Sequence, residues 1–428
     1  MTASLKTLTL GCKVNQYETQ YVREGLLSAG FHDAAETEPA DLCVINTCTV
    51  TAEGDAKSRQ AIRRLHRENP HARIVVMGCY ATRAPDEVAV LPGVAEVVTD
   101  KRELPDLLGR YGVVDLPTGI SGLTGRSRAY VKVQDGCLLR CSYCIIPTVR
   151  PQMASRPQAD IMAEVERLLM RGYREIVLTG IHLGHYGVDF NSGRSRGEWT
   201  RLATLLKTLC GLAPDHRFRI RLSSIEATEV TRQLLETMQD HAPRVCRHLH
   251  VCLQSGSDRV LRRMRRRWNV KRIVDRVRLA QDHLPGLAVT TDVIVGFPGE
   301  TEEDFQQTLE VCRTIGFSKI HIFPFSPRRG TDAATYPDQI SAKTKQERVA
   351  RLTALEAELR GRFLQSLVGQ HVEILIERQE PHWIMGTTCR FAPCRTVVTS
   401  DTPTMKPGDL IRCRVIGHDG QAFSGAID

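Results

Sequence analysis

At 428 residues the chain is long enough for two or three domains, and 42% hydrophobic with 25% charged residues is the balance of a globular, water-soluble protein. The first residues show no basic stretch followed by an apolar one, and no apolar run approaches the ~18 residues of a membrane span. That argues against secretion and insertion in a membrane, and for the cytoplasm. The net charge of +9 is concentrated in residues 259–278, where ten Lys and Arg face one acid, Asp275. Such a patch on an otherwise neutral body fits a polyanionic partner, nucleic acid above all, or a solvated helix face. Fourteen cysteines without an export signal argue for free thiols and metal ligation over disulfides.

Residues 1–111 read as alternating strand and helix. Residues 5–10, 41–45, 73–77 and 94–98 carry strand patterns. Residues 16–29 are helical in pattern and stop at Gly30; residues 54–68 form a basic amphipathic helix ended by Asn69-Pro70. Alternation of this kind gives a parallel sheet. Cys12, Cys48 and Cys79 each follow one of its strands. In a parallel sheet the strand C-termini share one edge, where open α/β folds bind ligands. Two readings stand: three thiolates converging on a metal cluster, or three small loop residues. Cys43, inside its strand, reads as core.

Residues 112–127, rich in Gly, Pro and Ser, read as a linker. Residues 128–368 alternate again, with strand patterns at 129–133, 175–179, 218–222, 249–253, 289–295 and 319–323. Six βα units make an incomplete (β/α)6 barrel, whose chemistry sits at the strand C-termini. Thr301-Glu-Glu-Asp304 has the form of a capping box with Asp in the acceptor position. A long polar helix over residues 342–367 closes the region. Residues 369–428 turn to short strands at 372–376, 396–398 and 410–415, a small antiparallel β-domain with seven basic and seven acidic residues from Gly361 onward.

Directly after the first barrel strand stands Asp135-Gly-Cys-Leu-Leu-Arg-Cys-Ser-Tyr-Cys-Ile-Ile-Pro147, in which Cys137, Cys141 and Cys144 are spaced CxxxCxxC. Three thiolates hold three irons of a cubane cluster and leave the fourth open to a cofactor, unlike the four-cysteine clusters of electron transfer. Zinc is the competing reading; structural zinc usually takes four ligands, and no further Cys or His adjoins the loop.

The loop, with Tyr143 before its third cysteine, resembles the radical S-adenosylmethionine (SAM) superfamily. Leu10-Gly-Cys-Lys-Val-Asn-Gln-Tyr-Glu18, Asn46-Thr-Cys-Thr-Val-Thr51, Leu253-Gln-Ser-Gly-Ser-Asp258 and Asp292-Val-Ile-Val-Gly-Phe-Pro-Gly-Glu300 extend the match to its methylthiotransferase family. The tail resembles the TRAM β-domain of RNA-modifying enzymes. Lys13-Val-Asn-Gln-Tyr-Glu18 is similar to the branch that acts on threonylcarbamoyladenosine in tRNA; sister branches act on isopentenyladenosine or on an aspartate of a ribosomal protein. The chain departs from its relatives at Arg150-Pro-Gln-Met-Ala-Ser-Arg156, where a basic triplet is usual, at Cys252, where proline is usual, and at Phe391, where tyrosine is common.

The resemblance implies two 4Fe–4S clusters, one on Cys137, Cys141 and Cys144 and one on Cys12, Cys48 and Cys79. It also implies SAM as both radical source and methyl donor. The target it implies is C2 of the modified adenosine at position 37, next to the anticodon. Tyr143, Gly180, Ser224, Glu226 and Gly296 are the candidate cofactor contacts; for Ser224 and Glu226 an ordinary loop role is the other reading. His182 and His185 read as solvated or structural. Arg262, Arg263, Arg265, Arg266 and Arg267 are the candidate RNA contacts. The expected partners are the tRNA anticodon loop, an electron donor such as flavodoxin or ferredoxin, and a sulfur donor.

Overall fold

The computed structural model describes residues 3–191, 193, 195, 199–398 and 405–427. The chain folds as two compact units. Residues 1–124, 130–164 and 326–334 make the first; residues 125–129, 165–325 and 335–428 make the second.

In the first unit, strands β1 (Ser4–Thr9), β2 (His32–Asp33), β3 (Leu42–Thr47), β4 (Arg73–Gly78) and β5 (Val94–Val97) form one parallel sheet in the order β2-β1-β3-β4-β5. β3 and β4 are nearly continuous apolar runs because both faces of a parallel sheet are covered by helices. Alternate residues feed two cores. Cys43, Ile45, Ile74 and Val76 pack with Ile62, Leu65 and Val88 on one side. Leu42, Val44, Val75 and Met77 pack with Val22, Leu26 and Leu107 on the other. Each fully buried aliphatic chain contributes about 1.5–3 kcal/mol.

The helices start earlier than their apolar periodicity suggests. The first runs Lys13–Ser28 with Cys12 itself at the N-cap. The second runs Ala52–Glu68 because Thr51 caps it, its hydroxyl accepting from the Gly54 amide at 3.0 Å. Residues 112–124 belong to this unit, and their backbone is tied down. The Ile120 amide donates to Glu164 at 2.8 Å, and the Ser121 and Gly122 amides donate to Glu24 at 2.7 and 3.1 Å. Strand β6 (Ala129–Asp135) pairs antiparallel with β7 (Ala154–Ser155).

The second unit carries the other strands of the expected barrel: β8 (Glu175–Gly180), β9 (Arg219–Leu222), β10 (Ser224–Ile225), β11 (His248–Val251), β12 (Ala288–Val295) and β13 (Lys319–Pro324), all paired parallel. A parallel bridge from Ile220 to Val245 links the two runs. The expected capping box forms, with Thr301 and Asp304 each accepting from the other's amide.

The tail is a closed five-strand barrel in the order β14-β15-β16-β18-β17: β14 (His371–Glu380), β15 (Trp383–Thr388), β16 (Pro393–Val397), β17 (Leu410–His418) and β18 (Phe423–Ile427). Its pairs are antiparallel except β16 with β18. Sequence patterning misses β15 and β18 because Gly386 and Gly425 interrupt their alternation. A Cβ at Gly386 would lie 2.0 Å from the Leu375 carbonyl oxygen, too close for any larger residue in so small a barrel. A buried charge cluster joins this barrel to β8 and β9. The guanidinium groups of Arg219 and Arg221 flank Glu175 at 2.6 and 3.0 Å and donate onward to the carbonyls of Glu373, Thr387 and Thr388.

Candidate active site

Register brings the first cysteine trio to one edge. Thr9 lies beside Asn46, and Thr47 beside Gly78, so the turns carrying Cys12, Cys48 and Cys79 leave the sheet side by side. Gly11 has φ +99°, and a Cβ there would sit 2.9 Å from the Cβ of Cys48 and 3.1 Å from its Sγ. Only glycine lets these two turns close on each other. The Asn15 side chain staples them, donating to the carbonyls of Leu10 and Thr47 at 2.9 and 3.1 Å. Burial pushes the Cys48 thiol up, and Cys79 and Cys12 push it further. The surrounding protein pushes the Cys12 thiol up as well, with Arg150 opposing and Cys79 adding to the rise. A metal bound by these thiols would supply the positive charge that holds them as thiolates.

The second trio lies in the same unit. β6 ends at Asp135, the loop carries Cys137, Cys141 and Cys144, all half-buried, and a short helix, Ile146–Val149, leads to Arg150. The Cys144 amide donates to the Cys141 carbonyl at 3.1 Å, and the Cys137 amide to the Arg150 carbonyl at 3.4 Å. Tyr143 is half-buried between the last two cysteines. Cys79 of the first trio packs against Ile145, Ile146 and Val149 behind the loop.

Arg150 links the two trios. Its buried guanidinium donates to both oxygens of Glu18 at 2.8 Å, to Asp135 at 2.8 Å and to Asn15 at 3.1 Å. Lys132 joins the same carboxylates at 2.7 and 2.5 Å. Burial by itself would raise the Glu18 carboxyl; Arg150 and Lys132 outweigh it and hold it at about 2. Asp135 is held well below the usual carboxylate range by the same two cations against its burial. A second network pins the turn after Cys48. The Thr49 hydroxyl donates to Asp55 at 2.5 Å, and Arg83 and Arg328 reach the same carboxylate at 2.8 and 2.6 Å. The segment holding Arg328 also meets the second loop, the Ala333 amide donating to the Ser142 carbonyl at 2.8 Å.

The remaining candidates lie in the second unit. Gly180 is the last residue of β8, and Ser224 is exposed in β10. Glu226 caps a short turn in a mutual capping box with Glu229, and its carboxylate is paired with Arg266. Burial pushes that carboxyl up, with Arg266 opposing. The Gly296 amide donates to Glu300 at 2.6 Å, and a Cβ there would meet the Lys345 stem at 2.4 Å, so the chain's own packing accounts for this glycine. Burial pushes the Cys252 thiol well up.

The basic run does not act as one set. Arg262, Arg265 and Arg267 are exposed and Arg263 is half-buried, its Nε donating to the Pro298 carbonyl at 3.1 Å. Arg266 leaves the group of RNA contacts: its side chain is 2% exposed, paired with Glu226 and set over the Trp268 ring at 4.8 Å. Arg262 and Arg267 instead border a groove of about 780 Å³ together with Lys271, Arg272 and Arg276.

Residues 131–312 match the family model of the radical SAM superfamily, and residues 4–100 match that of an uncharacterized protein family, UPF0004. The chain is 41% identical to the threonylcarbamoyladenosine tRNA methylthiotransferase MtaB of Bacillus subtilis, over 95% of this chain and 92% of that one. The chain belongs to the radical SAM methylthiotransferases. A methylthiotransferase of the same name from Thermotoga maritima is 37% identical over 86% of this chain and 85% of its own. The tRNA-2-methylthio-N(6)-dimethylallyladenosine synthase of Corynebacterium diphtheriae is 34% identical over 87% of this chain and 76% of its own. In fold, this methylthiotransferase is similar to the radical SAM methyltransferase TsrM of Kitasatospora setae, with a TM-score of 0.56 at 14% identity over 78% of this chain and 77% of that one.

Enzymes of this family work with SAM and 4Fe–4S clusters. The donor chemistry of this methylthiotransferase fits: two sets of three free thiols, one at a glycine-lined sheet edge and one in a half-buried loop. The six cysteines singled out in the sequence fall in these two sets. Sequence reading missed Asn15, Glu18, Asp135 and Lys132 as their common support, although Asn15 and Glu18 stand three apart on the helix that Cys12 begins.

Proposed function

We propose that this methylthiotransferase places a methylthio group on C2 of N6-threonylcarbamoyladenosine at position 37 of tRNA, acting in the cytoplasm. The observation that carries the reading is the joining, within one compact unit, of two three-thiol sets by a single buried arginine. The names of the Bacillus and Thermotoga relatives support the choice of base. With its clusters and SAM bound, the family's chemistry supplies a radical that can act on C2 of an adenine ring, a carbon with no acidic proton and no leaving group.

The side chains position. Cys137, Cys141 and Cys144 hold the cluster that meets SAM, with Tyr143 beside it. Gly180, Ser224, Glu226 and Gly296 are proposed around SAM at the strand ends. Cys12, Cys48 and Cys79 hold the cluster that carries sulfur. Asn15 and Arg150 keep the turns of both sets in place. The target base comes from the anticodon loop, where unpaired bases are free to enter a pocket. An electron donor such as flavodoxin or ferredoxin and a sulfur donor complete the reaction. The test is mass spectrometry of tRNA nucleosides from a strain lacking the gene. Loss of the methylthio form of threonylcarbamoyladenosine alone is expected. Loss of methylthiolated isopentenyladenosine, or of a modified ribosomal aspartate, would transfer the chain to a sister branch.

The two thiol sets are expected to separate in function. A Cys48→Ala chain should still form 5′-deoxyadenosine when reduced with SAM, while its tRNA gains no methylthio group. Circular dichroism matching the wild type guards against misfolding, because cluster binding is part of the folding energy of such sites. Methylthiolation near the wild-type yield would return the first trio to the status of small loop residues.

The groove bordered by Arg262, Arg267, Lys271, Arg272 and Arg276 is the proposed phosphate contact. Phosphate contacts fix position and release counterions, so binding weakens steeply with salt. Neutralising Arg262 and Arg272 together should weaken tRNA binding and reduce the slope of log K against log salt by about 1.5–2. Cleavage of SAM without tRNA should not change. An unaltered slope would make this groove a solvated face.

A further inference from the structure

Within the second unit, three donors that belong to neither cysteine set converge on one point. His182 and His185 bracket the short turn Leu183–His185 after β8, and their rings stack with centroids 3.6 Å apart and planes 18° apart. Both Nε2 atoms face one oxygen, Oε1 of Glu229: His182 within hydrogen-bonding reach, His185 at 3.7 Å. The three ligand atoms all lie within 4.8 Å of one another. The side chains of His182, His185 and Glu229 are only 4%, 23% and 11% exposed.

The carboxylate is fixed independently of any ligand. Glu229 Oε2 accepts from the Glu226 amide at 2.9 Å in the capping box. Gly184 makes room for it, since a Cβ there would lie 1.9 Å from that oxygen. A plain ion pair between His182 and Glu229 leaves His185 unexplained. Its ring would stack on a cationic ring, with its own Nε2 turned to the same oxygen. A divalent cation that accepts a lone pair from each imidazole and from the carboxylate removes the conflict. Two histidines and one carboxylate are a known three-ligand set for zinc and for ferrous iron, with further positions left open. An adjoining cavity of about 480 Å³, bordered by His185, Tyr186 and Glu229, gives such a position access.

We propose that His182, His185 and Glu229 form a mononuclear site for a first-row divalent cation of the zinc or ferrous class, using no residue of either cysteine set. The test uses the chain with both clusters assembled, equilibrated anaerobically with zinc against a competing chelator and then freed of loose metal. About one zinc per chain is expected. X-ray absorption at the zinc edge should show nitrogen and oxygen neighbours only, at about 2.0–2.1 Å, with no sulfur near 2.3 Å. His185→Ala and His182→Asn should each lose the zinc while keeping the iron content and circular dichroism of the wild type. A sulfur shell, zinc retained by both variants, or no zinc held by the wild type would overturn the proposal; the last would leave a histidine–glutamate ion pair. The absorption spectrum needs no variant, so a misfolded substitution would not spare the idea.

Discussion

Replacing Cys137, Cys141 and Cys144 together by alanine will cut the iron of the anaerobically reconstituted chain from about eight to about four atoms and abolish 5′-deoxyadenosine formation. The expected effect is complete for cleavage because SAM needs an iron that no protein group ligates, and this loop is the one proposed to hold the SAM-binding cluster. It is half for iron because the first trio keeps its own supports. Asn15 staples the turns of Cys12 and Cys48, and the Thr49–Asp55 pair is held by Arg83 and Arg328, none of which is altered. Iron analysis with product chromatography on one sample checks both halves. Cleavage persisting in the triple variant would refute the assignment, as would tetrahedral zinc in place of iron at either trio.

Arg150→Met will destabilise the chain by about 3–5 kcal/mol at neutral pH, the cost of leaving buried carboxylates without their partner. Glu18 and Asp135 then share Lys132 alone. The pH dependence carries the distinguishing sign. In the wild type the Glu18 carboxyl lies at about 2 against an ordinary 4.5. Its contribution is therefore complete above about 4.5 and lost as pH falls toward about 2. In the variant, burial, the largest influence on Glu18, is no longer outweighed, and a carboxyl takes up a proton nearer neutrality. The stability gap between the two chains should therefore narrow as pH is lowered from 7 to 5. Paired denaturant curves across that range measure it. Arg150→Lys keeps a positive charge but loses the planar fork, and should recover part of the loss. A gap below about 1 kcal/mol at neutral pH, or one that stays constant with pH, would show that Arg150 is not what compensates these carboxylates.

The sequence by itself determined the α/β alternation of the first two regions, the two three-cysteine patterns and the capping box at Thr301, because each depends on spacing or on contacts within a few residues. CxxxCxxC within a single loop needs no fold to be read. The first trio needed only the rule that strand ends of a parallel sheet share an edge. Glycine-broken strands such as β15 and β18 were hidden, since closing a small barrel demands a missing side chain and not an apolar pattern. What tertiary structure alone decided is which charge meets which. Arg150 finds Glu18 across 132 residues, and Arg328 finds Asp55 across 273. Arg266, one of five arginines that look alike in sequence, turns inward to Glu226 while Arg262 and Arg267 stay at the groove. An arginine carries the same charge in every setting. Whether it holds a phosphate, a carboxylate or nothing depends on what the fold places within about 3 Å of it, and that is set by chain topology over hundreds of residues.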